Sequence, residues 1–98
     1  MTVYKTQNGT ALTIMPTGRI DAVTAPHFEQ EVKESLPGIT DVTFDFGKLN
    51  YISSAGLRVL ILTHQTMNEQ GTMKIINVND SIRKVLKMTG ITAVMNVE

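Results

Sequence analysis

Residues Asn50 to Leu60 read Asn-Tyr-Ile-Ser-Ser-Ala-Gly-Leu-Arg-Val-Leu, an apolar strand-like stretch followed by two adjacent serines and a helix-like pattern. From Leu57 onward, apolar residues recur at the spacing of one helix face. A serine directly before such a run is a preferred N-cap, because its oxygen accepts an unpaired amide hydrogen of the first turn. We therefore expect Ser53 or Ser54 to cap a helix that ends near Gln70.

The start of this helix is also a place where negative charge is tolerated. Several N–H groups of the first turn have no partner within the helix, and the aligned peptide dipoles give this end a partial positive charge. A phosphate group added to a serine there would meet a favourable environment.

Length and composition narrow the class of protein. The 98 residues predict one domain over 1–98, and nine basic residues balance nine acidic ones. With this balance the chain has no excess of positive charge to attract nucleic acid. No apolar run is long enough to cross a membrane. The chain has no cysteine, and nothing after Met1 resembles a signal peptide. We therefore expect a soluble, cytoplasmic protein without nucleic-acid or membrane partners.

The segments before the serine pair predict a hairpin and a helix. Asn8-Gly9 separates two strand-like runs and is a strong signal for a two-residue turn. Arg19-Ile20-Asp21 is expected to extend the second strand. Thr24 is a candidate N-cap for an amphipathic helix that Pro37-Gly38 ends.

The remaining segments alternate strand and helix patterns, which predicts parallel pairs of strands with helices packed on the sheet. The fold class is therefore α/β, with a small mixed β-sheet. The expected features are a strand over Val42–Phe46, left-handed Gly71 after the serine-led helix, a strand over Met73–Val78, a third helix capped by Asn79 or Asp80 and closed by Gly90, and a last strand within Ile91–Val97.

Catalytic and metal-binding interpretations find little support. Ile52-Ser53-Ser54-Ala55-Gly56 approaches a nucleophile elbow, but Ile52 stands where that turn needs glycine. No P-loop is present, and neither His27 nor His64 has ligand-type spacing to acidic residues or to another histidine. We expect no enzyme activity, no cofactor and no metal site.

Three separated segments resemble the STAS domain, and more narrowly the single-domain bacterial anti-sigma factor antagonists. The run Ile52–Leu60, preceded by Asp45-Phe46 and Leu49, is similar to the signature of that family. Two flanking segments agree with it in order: Thr17–Asp21 followed by Thr24-Ala25, and Asn77-Val78 through Val85-Leu86 to Met88–Ile91.

The resemblance implies a regulatory cycle. In this family the serine at the position of Ser54 is phosphorylated by a partner that is both serine kinase and anti-sigma factor. The unphosphorylated protein binds that partner and frees the sigma factor, and a phosphatase restores it. Family members often carry aspartate where this chain has Ser53, and a hydroxyl residue where it has Ala55, so Ser53 is the alternative target.

The resemblance also implies a contact surface around the serines. The expected partner-binding residues are Asp21, Thr24, Ser53, Ala55, Gly56, Leu57 and Arg58. Gly56 has no side chain, which we expect to leave room for a kinase cleft near Ser54, and Arg58 falls on the same helix face. The alternative function is a STAS domain of another partner-switching or ligand-binding system, including a nucleotide-binding one, that works without phosphorylation.

Overall fold

The computed structural model describes residues 1–98 and begins with the expected hairpin. Strand β1 (Val3–Asn8) pairs antiparallel with β2 (Ala11–Pro16), and Asn8 lies opposite Ala11. The two loop residues are therefore Gly9 and Thr10, one position beyond the predicted Asn8-Gly9. Gly9 has φ +64°, so glycine occupies the first loop position, as in a type II′ turn. This turn needs positive φ only at the glycine.

The main sheet is mixed, as predicted. Besides β1 and β2 it contains β4 (Asp41–Asp45), β6 (Thr72–Ile76) and β7 (Asn96–Val97). The five strands have the order β1-β2-β4-β6-β7, and only the β1–β2 pair is antiparallel. Alternate residues of the inner strands point into the core, which accounts for the period-two pattern of the sequence: Leu12, Ile14, Val42, Phe44, Met73 and Ile75.

A separate two-stranded ribbon carries the chain toward the serines. Strand β3 (Gly18–Ile20) pairs in parallel with β5 (Leu49–Ile52). The prediction that Arg19-Ile20-Asp21 extends the second strand is therefore wrong. The Gly18 N–H donates to the Lys48 carbonyl at 3.0 Å, so the chain leaves the main sheet after Pro16 and pairs elsewhere.

Four helices complete the fold, and the three longer ones match the predicted segments. They are α1 (Ala25–Ser35), α2 (Ser54–Gln70), α3 (Asp80–Met88) and α4 (Ile91–Val94). Helix α1 packs on the sheet, where the Phe28 ring lies edge-on to Phe44 with centroids 6.0 Å apart. None of the helices combines the length and apolar character needed to cross a bilayer.

The end of the chain differs from the prediction of a single strand. Gly90 adopts the left-handed conformation at φ +80° and ends α3, as expected, but the chain then makes another turn of helix. The Met95 N–H donates to the Ile91 carbonyl at 2.9 Å, and both side chains are buried. Burial of these two residues therefore favours a helical turn, and only Asn96–Val97 joins the sheet.

Lys5 ties the outermost strand to helix α1. Its ammonium group forms an ion pair with Glu31 and lies 3.4 Å from Glu34, while its side chain stays 26% exposed. Partial burial works to lower the pKa of Lys5, but hydrogen bonds to the two carboxylates and their charges outweigh it and raise the pKa. The hydrogen bond from Lys5 lowers the pKa of Glu31 in turn.

Gly71 follows helix α2 as predicted, but not in the left-handed conformation. Its φ of 168° is extended backbone that any residue can adopt. Glycine is required there because a Cβ atom would overlap the backbone carbonyl of Thr40. That carbonyl accepts a hydrogen bond from the Thr72 N–H at 2.8 Å, which holds the two segments together.

Replacing Gly71 with alanine should therefore destabilise the fold. We expect Gly71→Ala to lower the free energy of unfolding by at least about 2 kcal/mol, because backbone must shift to admit the methyl group. Glu69→Ala, at a nearby exposed position of α2, is the control and should stay within about 0.5 kcal/mol of the parent. Urea unfolding measures both values, and equal losses would contradict the steric argument.

Candidate functional site

The two serines lie where the ribbon ends and helix α2 begins. Ser53 occupies the N-cap position, with φ −94° and ψ 175°, and Ser54 is the first helical residue. The Ser53 N–H donates to the Ile20 carbonyl at 2.8 Å, and the Ser53 carbonyl accepts from the Leu57 N–H at 3.0 Å. The ends of β3 and β5 and the first turn of α2 are thus joined through the backbone of one residue.

Gly56 determines how closely α2 approaches the ribbon. A Cβ atom at this position would lie 2.6 Å from Ile20 Cγ2 and 2.7 Å from Ile52 Cγ1. Gly56 is buried and faces inward, so the interpretation that it leaves space for a kinase cleft is wrong. Its missing side chain leaves space for the two core isoleucines instead.

The other expected contact residues of α2 divide into inward and outward positions. Leu57 is only 7% exposed and belongs to the core, so it positions the helix and offers little surface to a partner. Ala55 is half-buried against that core, while Ser54 and Arg58 are exposed. The outward surface at the start of α2 therefore consists mainly of one hydroxyl, in the first turn, and one guanidinium, at the beginning of the second.

The two serine hydroxyls have opposite environments. Ser53 Oγ is buried and has no hydrogen-bond partner, so Ser53 holds the cap position without capping through its side chain. Asn79 shows the usual alternative, since its Oδ1 accepts from the Ile82 N–H at 2.8 Å at the start of α3. The serine that solvent reaches is Ser54.

The first turn of α2 retains its unpaired donors. The N–H groups of Ser54, Ala55 and Gly56 have no acceptor in the chain, and Ser53 Oγ does not supply one. No acidic residue lies in this turn to offset the positive end of the helix dipole. A negative group attached to Ser54 would therefore face unpaired donors and no opposing carboxylate within the turn.

Asp21 organises the loop that follows β3. Its Oδ1 accepts hydrogen bonds from the N–H groups of Val23 and Thr24, both at 3.0 Å. The Thr24 N–H is the main cause that lowers the pKa of Asp21. Loss of solvation opposes it, and the Val23 N–H, the Thr24 hydroxyl and the charge of Arg19 lower the pKa further. The Asp21 carboxylate therefore stabilises the loop after β3, at the same end of the ribbon as Ser53.

Thr24 holds the same loop from the other side. It occupies the N-cap position of α1, as predicted, but its hydroxyl makes no cap bond. The hydroxyl accepts from the Asp21 N–H at 2.9 Å and donates to the Arg19 carbonyl at 2.8 Å. Asp21 and Thr24 therefore shape the loop beside the serines. Asp21 Oδ1 and the Thr24 hydroxyl already form hydrogen bonds within that loop.

One feature of this region could not be predicted from spacing. The Arg19 guanidinium carbon lies 4.3 Å from the centre of the Tyr51 ring, and the two residues face each other across the ribbon. The separate β3–β5 pairing creates this contact, and the sequence offers no signal for that pairing. No group of three or more His, Cys, Asp or Glu side chains has a geometry suited to a metal ion.

Comparison with known proteins identifies the family. The family model described as STAS domain matches residues 2–98. A Bordetella bronchiseptica protein named as an anti-sigma factor antagonist, BtrV, is 30% identical over 82 residues, which cover 82% of this chain and 71% of BtrV. The chain therefore belongs to the STAS domain family.

Solved structures agree with this assignment at the level of the fold. An anti-sigma factor antagonist from Mycobacterium paratuberculosis superimposes with a TM-score of 0.90 at 20% identity, covering 98% of this chain and 83% of that one. The Bacillus cell fate determinant SpoIIAA in its phosphorylated form gives a TM-score of 0.76 at 15% identity, covering 99% and 91%.

The Ser53 side chain does not cap helix α2, whereas the Asn79 side chain caps α3, and substitutions at the two positions test this difference. We expect Ser53→Ala to leave the free energy of unfolding unchanged or to raise it, since the substitution removes a buried hydroxyl that makes no hydrogen bond. Asn79→Ala removes a working cap and should cost about 1 kcal/mol. Chemical denaturation of both variants measures the difference, and an equal cost would mean that the Ser53 hydroxyl caps α2 in solution.

The lowered pKa of Asp21 makes its contribution dependent on pH. Because the folded-state pKa lies below the ordinary value of 3.8, ionised Asp21 stabilises the fold above that value. The contribution is lost as pH falls through the folded-state pKa. We expect the difference in free energy of unfolding between the parent and Asp21→Asn to shrink on going from pH 6 to pH 3. A difference that is the same at both values would contradict the assigned hydrogen bonds.

Proposed function

We propose that this protein is an anti-sigma factor antagonist controlled by phosphorylation of Ser54. In its unmodified form it binds an anti-sigma factor that is also a serine kinase, and this binding frees the sigma factor. Phosphorylation ends the binding, and a phosphatase restores it. The proposal draws on membership of the STAS family and on relatives that are named as antagonists. The observation that carries it is the exposed Ser54 hydroxyl at the positive end of α2.

The choice of Ser54 over Ser53 follows from access. A kinase must bring the terminal phosphate of ATP to the attacking oxygen, so that oxygen has to be reachable from outside the fold. Ser54 is exposed, whereas Ser53 Oγ is buried. Transfer to Ser53 would require the first turn of α2 to move away from the ribbon, against the packing of Gly56 on Ile20 and Ile52.

Charge explains why the modification changes binding while leaving the fold intact. A phosphate adds about 1.5 to 2 negative charges, and the unpaired N–H groups and dipole of α2 favour that charge in the free protein. A partner surface complementary to neutral serine would have to desolvate the same charge without a counter-ion. A cost of about 3 kcal/mol weakens binding roughly a hundredfold.

The direct test is phosphorylation by the cognate kinase with ATP, followed by mass spectrometry of the peptide that contains both serines. We expect one phosphate on Ser54 in the parent and in Ser53→Ala, and none in Ser54→Ala. The Ser53→Ala variant is the matched control, since it removes the neighbouring hydroxyl and keeps the target. Phosphate on Ser53 alone would overturn the site assignment.

A binding measurement tests the charge mechanism. Ser54→Asp carries about one charge of the phosphate, so it should weaken the kinase complex at least tenfold while the melting temperature stays near that of the parent. Ser54→Ala is neutral and should bind like the parent. Isothermal titration calorimetry gives both affinities, and equal binding of the Asp and Ala variants would contradict the mechanism.

A further inference from the structure

The outward face of the β3–β5 ribbon carries an arginine stacked on a tyrosine. Along each strand the side chains alternate, and the register pair Ile20–Ile52 is buried at 0% and 3% exposure. The preceding pair, Arg19 and Tyr51, therefore points to solvent. The Arg19 side chain is 61% exposed and Tyr51 is 41% exposed, with the guanidinium 4.3 Å from the ring centre.

This pair lies close to the proposed phosphorylation site. Tyr51 precedes Ser54 by three residues, so their Cα atoms are at most about 11 Å apart. The backbone between them is fixed, because Ser53 bonds to the Ile20 carbonyl at the end of the ribbon. A protein that covers Ser54 would therefore lie within side-chain reach of Arg19.

The charge of Arg19 has one distant partner within the chain and keeps its terminal nitrogens free. The closest carboxylate is Asp21, whose Oδ2 lies 3.9 Å from Arg19 Nε, while its other oxygen accepts from the loop backbone. The terminal nitrogens of Arg19 make no hydrogen bond within the chain, and Arg58 on α2 forms no ion pair. The surface beside Ser54 thus presents the free terminal donors of Arg19, whose side chain is 61% exposed, and the unpaired cation of Arg58.

Stacking prepares Arg19 for one kind of partner group. Tyr51 restrains the planar guanidinium, so less side-chain freedom is lost when an acceptor binds. The fork of N–H donors matches the two oxygens of a carboxylate. Arginine and tyrosine are also the residue types that most often dominate protein interfaces.

We propose that the Arg19–Tyr51 pair is a contact for the partner kinase and receives a carboxylate from its surface. This inference rests on the proposed function, since it assumes that the kinase docks over Ser54. The pair would supply affinity in the unmodified state, and Tyr51 would act mainly by holding Arg19 in place.

The test measures the affinity of unphosphorylated variants for the kinase that modifies Ser54. We expect Arg19→Ala to weaken binding at least tenfold, and Tyr51→Ala to weaken it severalfold. Tyr51→Phe keeps the ring and should bind within twofold of the parent. Tyr4→Ala is the matched control, because Tyr4 is 57% exposed on strand β1 and belongs to the main sheet, not to the ribbon, and its loss should leave affinity unchanged.

Two further measurements separate a contact from a structural role. The Arg19→Ala and Tyr51→Ala effects should be less than additive in the double variant, because both act through one guanidinium. The affinity of Arg19→Ala should also depend less on salt than that of the parent. Circular dichroism and melting temperature verify that each variant is folded.

The outcomes distinguish this inference from the function it rests on. If the parent binds the kinase and Ser54→Asp does not, but Arg19→Ala binds like the parent, the contact is refuted and the proposed function stands. If the unmodified parent does not bind the kinase at all, both are refuted.

Discussion

The close approach of helix α2 to the β3–β5 ribbon is the constraint on which the site depends. Gly56 permits it, because any side chain there would collide with Ile20 and Ile52. The hydrogen bond from Ser53 to the Ile20 carbonyl holds the same junction through the backbone. Apolar packing on one side and main-chain pairing on the other therefore fix the first turn of α2, and Ser54 is presented from a rigid support.

Two adjacent residues of the same type have different roles because of this junction. The residue that joins the ribbon to the helix is drawn inward, and the Ser53 hydroxyl loses contact with water without gaining a partner. The next residue starts the helix and points outward. An unpaired buried hydroxyl is unfavourable, so its presence beside an exposed one indicates that the local packing, not the hydrogen-bonding capacity of serine, determines which oxygen is accessible.

Much of this architecture could be predicted from hydrophobic periodicity, because the strand β4 and the three longer helices have strong patterns of their own. The failures involve contacts between distant segments. Glycine is needed at position 71 because the Thr40 carbonyl lies against it. The strand that contains Arg19 leaves the main sheet because it pairs with the strand that contains Tyr51. At the site, the local sequence pattern correctly predicted a serine at the N-cap position of α2. It could not predict that the Ser53 hydroxyl would be buried without a hydrogen bond to the first turn, because this depends on tertiary packing.

The ammonium group of Lys5 has a consequence for how this chain behaves at high concentration. Strand β1 is the longer of the two outer strands of the sheet, and such an edge can recruit an extended segment of another molecule. A strand added at this edge would cover the ion pairs that Lys5 makes with Glu31 and Glu34 and remove them from water. Lys5 therefore places a charged group on the outermost strand, a feature that disfavours pairing of this edge with another chain.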